Sequence, residues 1–275
     1  MRSSVRHLRL AAASVVTLPF TPSPANCTDR APAKPRILVV NPNSSSSFTE
    51  LMAARAKGWP QLDAVCINPA TGPASIEGDF DDVLSAVPTL EEILRRRGTF
   101  DAVVVACISD HSAIAAAREA LVQPVVGILE ASVMLACLVG EKFAIVTSNR
   151  RWEPLLWRAL ETYGVKERCC GVRGCLDRVL DLEGDVHAMI LQTARELVEQ
   201  GAEVIVLGCA GMAGLKEDLE AQLHVPVVDP IDAGFAVAGA LVTMRLATSK
   251  VNTYHTPGYK ACPNISPLLQ SAYKN

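Results

Sequence analysis

The 275-residue sequence predicts an α/β fold of two pseudo-symmetric lobes, each a parallel sheet flanked by helices, with the active site in the cleft between them. Three observations lead to this reading. Short β-branched runs alternate with Ala/Leu/Glu/Arg-rich stretches, the pattern of βαβ units feeding a parallel sheet. One pattern occurs twice: Asp101-Ala-Val-Val-Val-Ala-Cys107 leads to Gln123-Pro124-Val125-Val126, and Ala202-Glu-Val-Ile-Val-Leu-Gly-Cys209 leads to Val225-Pro226-Val227-Val228, with 17 residues from cysteine to proline in both copies. Each copy follows another apolar run, Arg36-Ile-Leu-Val-Val-Asn41 in one and Lys142-Phe-Ala-Ile-Val-Thr147 in the other.

Taken along the chain, the β-branched runs place strands at 36–41, 63–68, 102–107, 125–128, 142–147, 203–208 and 226–228. The segments between them predict helices at 47–57, 79–97, 111–121, 131–138, 151–163, 183–200, 213–222 and 231–247. Ser46 or Ser47 can cap the first helix, and Pro154 falls in an early turn, where a missing N–H is tolerated. The expected organisation is a first lobe of 34–139 plus 229–248, a second lobe of 140–228, and an irregular surface tail at 249–275 with Tyr254, Pro257, Cys262 and Pro263.

Residues 1–33 read as a disordered leader or a possible targeting segment. Arg2, Arg6 and Arg9 precede any acid, the first being Asp29, and a mild apolar stretch runs from Leu10 to Phe20. A mitochondrial transit peptide, a secretory signal ending near Ala31-Pro32-Ala33, an unstructured tail and a misassigned start all fit.

A chain 49% apolar, with a net charge of −3, has no basic footprint for nucleic acid and no stretch suited to crossing a bilayer. The expected partner is a small-molecule substrate, with a homo-oligomer possible. Nine cysteines spread through long apolar segments fit a reducing compartment better than a disulfide scaffold, so a cytoplasmic location is expected unless the leader directs the chain to mitochondria or export. Cys169, Cys170 and Cys175 lack the second pair that zinc spacing requires, and no phosphate-binding glycine motif follows the first strand.

In open parallel sheets ligands bind beyond the carboxyl ends of the strands. Asn41, Cys107, Thr147 and Cys209 all stand there. A cysteine in a Val-rich strand is ordinarily packing, but matched placement in two repeats gives the pair a chemical use. Racemisation beside a carbonyl takes a proton from one face and returns another to the opposite face, which suits two acid/base groups of the same type. A helix starting just after each cysteine is expected to lower its pKa, and backbone N–H groups in the turns can stabilise the carbanion. Asn41-Pro42-Asn43-Ser44-Ser45 adds amide and hydroxyl donors, and the turn-rich loop 72–78 is either a connection or a pocket wall. His111 is expected to be a surface residue at a helix start, with a possible influence on Cys107.

These residues resemble the aspartate/glutamate/hydantoin racemase superfamily, most closely its hydantoin racemase branch, which includes allantoin racemase-like proteins. The resemblance covers about residues 35–256. It rests on the 41–45 and 72–78 loops, Cys107 with Asp110, Gly127-Ile-Leu-Glu130-Ala131, Val146-Thr147, Leu207-Gly-Cys209-Ala-Gly-Met-Ala213 and Val225-Pro-Val-Val-Asp229-Pro230. It implies a cofactor-independent enzyme with Cys107 and Cys209 catalytic, and Asn43, Ser44, Ser109, Thr147, Ala210 and Gly211 in contact with substrate. One position departs: His111 stands where many relatives carry proline after the first cysteine's Asp.

The expected activity is racemisation of 5-substituted hydantoins or allantoin. The alternatives are an aspartate/glutamate-type racemase, a single-thiol decarboxylase or cis-trans isomerase, and a non-catalytic ureide-binding protein.

Overall fold

The computed structural model describes residues 34–176 and 186–273. Residues 34–275 cluster as one compact unit. The expected leader and the first residues of the helix expected from 183 lie outside the described residues.

Two four-stranded parallel sheets form the frame. The first contains β1 (Arg36–Val40), β2 (Asp63–Ile67), β3 (Ala102–Val105) and β4 (Val125–Gly127), in the order β2-β1-β3-β4. The second contains β5 (Phe143–Asn149), β6 (Cys169–Leu176), β7 (Val204–Gly208) and β8 (Val227–Val228), in the order β6-β5-β7-β8. The two orders are the same, so β3 and β7 hold equivalent places. Each is fully buried, as strands covered on both faces require.

The helices are α1 (Ser46–Ala56), α2 (Asp79–Arg95), α3 (Ser112–Ala120), α4 (Ile128–Val139), α5 (Trp152–Thr162), α6 (His187–Glu199), α7 (Lys216–Leu223), α8 (Pro230–Thr243) and the short α9 (Pro267–Gln270). After the second sheet, α8 returns to pack on α4, β3 and β4. Its start is set locally: Asp229 accepts from the Ile231 and Asp232 N–H groups, and Pro230 occupies the first turn. The largest core cluster draws on both sheets, with Val39 and Val104 from one and Ile145 and Val206 from the other. No helix among the described residues is long and apolar enough to cross a membrane.

The sequence reading missed β6. Its Cys-Cys-Gly-Val-Arg-Gly-Cys-Leu sequence has two glycines and an arginine, which depress strand propensity. Tertiary packing demands those glycines: a Cβ at Gly174 would lie 2.2 Å from the Asn149 carbonyl carbon, and one at Gly171 would lie 2.5 Å from Leu197 Cδ2. The tail is also more than irregular surface, since Leu269 and Ala272 pack on the cluster containing Leu38 and Val103.

Candidate active site

Cys107 and Cys209 line one narrow cleft of about 430 Å³. Cys107 comes two residues after β3 and Cys209 directly after β7, so the equivalent strand ends deliver one thiol each. They are near enough for charge on Cys209 to disfavour ionisation of Cys107. Asn43, Ala210 and Gly211 share this cleft, as do Asn41, Ser148 and Trp152.

Side-chain hydrogen bonds hold the loop after β1. Asn41, fully buried, donates through Nδ2 to Asn43 Oδ1 at 2.9 Å and to the Ser45 carbonyl at 3.0 Å. Asn43 Oδ1 also accepts the Ser45 N–H at 3.0 Å, which leaves the Asn43 amide nitrogen as its donor toward a ligand. Ser44 stands back from the cleft wall, its hydroxyl donating to the Gly72 and Pro73 carbonyls and so pinning loop 72–78.

At the end of β5 the residue expected to meet substrate and the residue that lines the cleft are neighbours. Thr147 is fully buried and donates to the Gly208 carbonyl at 3.0 Å, tying β5 to the residue before Cys209. Ser148 lines the cleft instead, and its buried Oγ has no hydrogen-bond partner among the described residues. Gly208 is required by this approach, because a Cβ there would sit 2.7 Å from the Val146 carbonyl oxygen.

Ser109 borders a second recess of about 550 Å³, with Asp79, Asp82, Asp110 and Arg158, and Trp152 lines both recesses. The Ser109 hydroxyl has no hydrogen-bond partner among the described residues, yet it lies where it favours a Cys107 thiolate.

The expected lowering of the thiol pKa values is overturned. Burial pushes Cys107 up to about 12, against the Ser109 hydroxyl, with the Asp82 and Cys209 charges adding to the rise. Burial pushes Cys209 up to about 11, against the Gly211 N–H. The helix starts cannot compensate. At α3 the Ala113 N–H is taken by His111 Nδ1 and the Ser112 N–H by Asp82. After Cys209 comes only a short turn at Ala210–Met212, and α7 begins at Lys216.

His111 is likewise not a surface residue. It is fully buried, with Nε2 2.9 Å from Ser85 Oγ on α2.

On the other side, Asp229 accepts the Gly214 N–H at 2.8 Å and so anchors the loop that follows Cys209. Arg55 of α1 joins Asp232 of α8 and Glu217 of α7, linking parts of the two halves. Among the described residues no group of three or more His, Cys, Asp or Glu side chains could hold a metal ion.

The sequence matches the Asp/Glu/Hydantoin racemase family over residues 37–238. It is 40% identical over 233 residues to the hydantoin racemase of Paenarthrobacter aurescens, covering 82% of this chain and 98% of that one. The fold is similar to the allantoin racemase of Pseudomonas fluorescens, with TM-score 0.79, 37% identity and coverage of 82% of this chain and 99% of the other. The allantoin racemase of Klebsiella pneumoniae gives TM-score 0.81 and 36% identity, covering 87% and 99%. With paired thiols at equivalent strand ends, the repeated sheet order and identity across most of its length, the chain belongs to the Asp/Glu/hydantoin racemase family and is an isomerase of the racemase type.

Proposed function

We propose that this enzyme racemises 5-substituted hydantoins, allantoin included, by two-thiol proton transfer at the ring C5 and without a cofactor. The observation that carries the reading is that Cys107 and Cys209 enter one cleft from equivalent strand ends. One sulfur, as thiolate, takes the C5 proton and becomes a thiol. The electron pair left on C5 delocalises into the adjacent ring carbonyl, and the opposing thiol delivers its proton to the other face and becomes the thiolate. The two sulfurs exchange roles, so the opposite enantiomer runs the same steps in reverse. The Asn43 amide, the Ser148 hydroxyl and the backbone around Ala210 and Gly211 are the donors for the developing oxyanion. Burial makes each thiolate scarce and strongly basic, which suits a weakly acidic C–H.

The wall favours a neutral ring over a free amino acid. Asn41, Asn43, Ser148 and Gly211 line the cleft with apolar residues such as Phe48 and Ile76, and among the described residues no lysine, arginine or carboxylate lines it. An aspartate or glutamate substrate needs charged partners for its carboxylates and ammonium. The test is incubation of the purified chain with single-enantiomer allantoin, 5-benzylhydantoin and aspartate in D₂O, following optical rotation and deuterium at the reacting carbon. Loss of rotation with deuterium entry for a ring substrate, and neither for aspartate, is expected. Cys107→Ser and Cys209→Ser should each lose racemisation. Racemisation of aspartate alone, or parent-like rates in either serine variant, overturns the reading.

A further inference from the structure

We infer that His111 is a positioning residue for Cys107, its Nε2–H tautomer tying the loop that carries the thiol to α2 while its other nitrogen caps α3. The role rests on the two-thiol reading, and its geometry is independent of that reading. His111 Nδ1 accepts the Ala113 N–H at 3.2 Å, so in the neutral ring the proton belongs on Nε2. Nε2 then donates to Ser85 Oγ at 2.9 Å, and the Ser85 hydroxyl donates to the Asp82 backbone carbonyl at 2.9 Å. Asp82 completes the tie by accepting the Ser112 N–H at 3.2 Å. The five-residue segment Cys107–His111 is thus held at its far end by contacts 26 or more residues away in sequence.

A protonated ring cannot make the same set. With hydrogens on both nitrogens it would face the Ala113 N–H donor to donor, and the α3 cap would be lost. Asp82 of α2 faces it, 3.6 Å from Nε2, and Asp110 precedes it in its own loop, while Arg158 of α5 pairs with Asp79. Burial holds the ring below its ordinary 6.5 while Asp82 works the other way, so the neutral, capping form prevails at neutral pH. Asp82 also disfavours the Cys107 thiolate. The tie therefore controls both where the sulfur points and how close a carboxylate stands to it.

The experiment uses the full chain with three substitutions. His111→Leu removes both contacts, His111→Asn keeps an acceptor for the Ala113 N–H, and Ser85→Ala removes only the Nε2 partner. Folded His111→Leu should lose kcat on the order of tenfold with little change in KM, within the range that small misplacements of a reacting group produce. Its Cys107 should be alkylated by iodoacetamide at least about fivefold faster near pH 8.5, because a loosened loop admits water to the thiol. His111→Asn should restore part of the kcat and slow the alkylation again. A purely structural histidine would lower the melting temperature without moving the alkylation rate or splitting kcat from KM. Parent-like kcat and alkylation in folded His111→Leu overturn the inference, and if that variant does not fold, the same readings on Ser85→Ala decide. If the parent fails to racemise any ring substrate, the proposed function falls, while the alkylation rates still judge the tie.

Discussion

Burial of the two thiols makes a quantitative prediction about pH. Raising Cys209 from its ordinary 9.0 to about 11 corresponds to an added ionisation cost on the order of 3 kcal/mol. At pH 7 that leaves roughly one molecule in 10⁴ with the thiolate, given tenfold per pH unit. Cys107, pushed up to about 12 with the Cys209 charge contributing, remains a thiol when Cys209 ionises. The productive pair is one thiolate and one thiol, so its population grows as pH rises toward about 11 and falls only when the second sulfur loses its proton. A raised thiol pKa makes base scarce at neutral pH, and alkali supplies it. The perturbation is therefore a pH series from about 6.5 to 8.5, with kcat/KM rising about tenfold per unit, since that parameter reports the free enzyme. Polarimetry on a single-enantiomer hydantoin provides the assay, with uncatalysed exchange subtracted and pH kept below the range in which the ring N–H ionises. A plateau below about pH 8 would be incompatible with two buried thiols as the acid/base pair, because it would require a thiol ionising well below the value burial imposes.

Two substitutions test the supports around the cleft. Ser148→Ala removes a buried hydroxyl that has no hydrogen-bond partner among the described residues, so urea unfolding should shift by no more than about 0.5 kcal/mol. Turnover of the ring substrate should nevertheless fall roughly 5- to 30-fold, the worth of one hydrogen bond of about 1–2 kcal/mol. Asp229→Ala strips the α8 cap and the acceptor of the Gly214 N–H at once. It should lower unfolding free energy by about 2–4 kcal/mol, the sum of a cap and a buried charge-assisted bond, measured by urea denaturation.

The sequence made some parts of the fold plain and hid others. The fully buried strands β3 and β7 announce themselves as continuous valine-rich runs, and the repeated cysteine-to-proline spacing gives their equivalence. β6 was hidden because its two glycines serve close approaches to Asn149 and Leu197, partners 25 or more residues away. Thr147 and Ser148 show a different limit. Neighbouring residues of a strand point to opposite faces, and periodicity cannot say which face meets the cleft when β5 is buried along its whole length. The sequence reading singled out Thr147 and passed over Ser148, but Thr147 turns to the Gly208 carbonyl and Ser148 turns to the cleft.

The fold class, the repeated half and the two cysteines at strand ends were determined by sequence alone, because strand burial and strand termini leave local patterns. The state of those cysteines was decided only in three dimensions. Their ionisation depends on which atoms exclude water from the sulfurs, and the N–H groups expected to favour the Cys107 thiolate are consumed by His111 and Asp82. Ser85 meets His111 across 26 residues and Asp82 meets Ser112 across 30. No local reading of the chain could have anticipated either contact, since each exists only where α2 and α3 pack together.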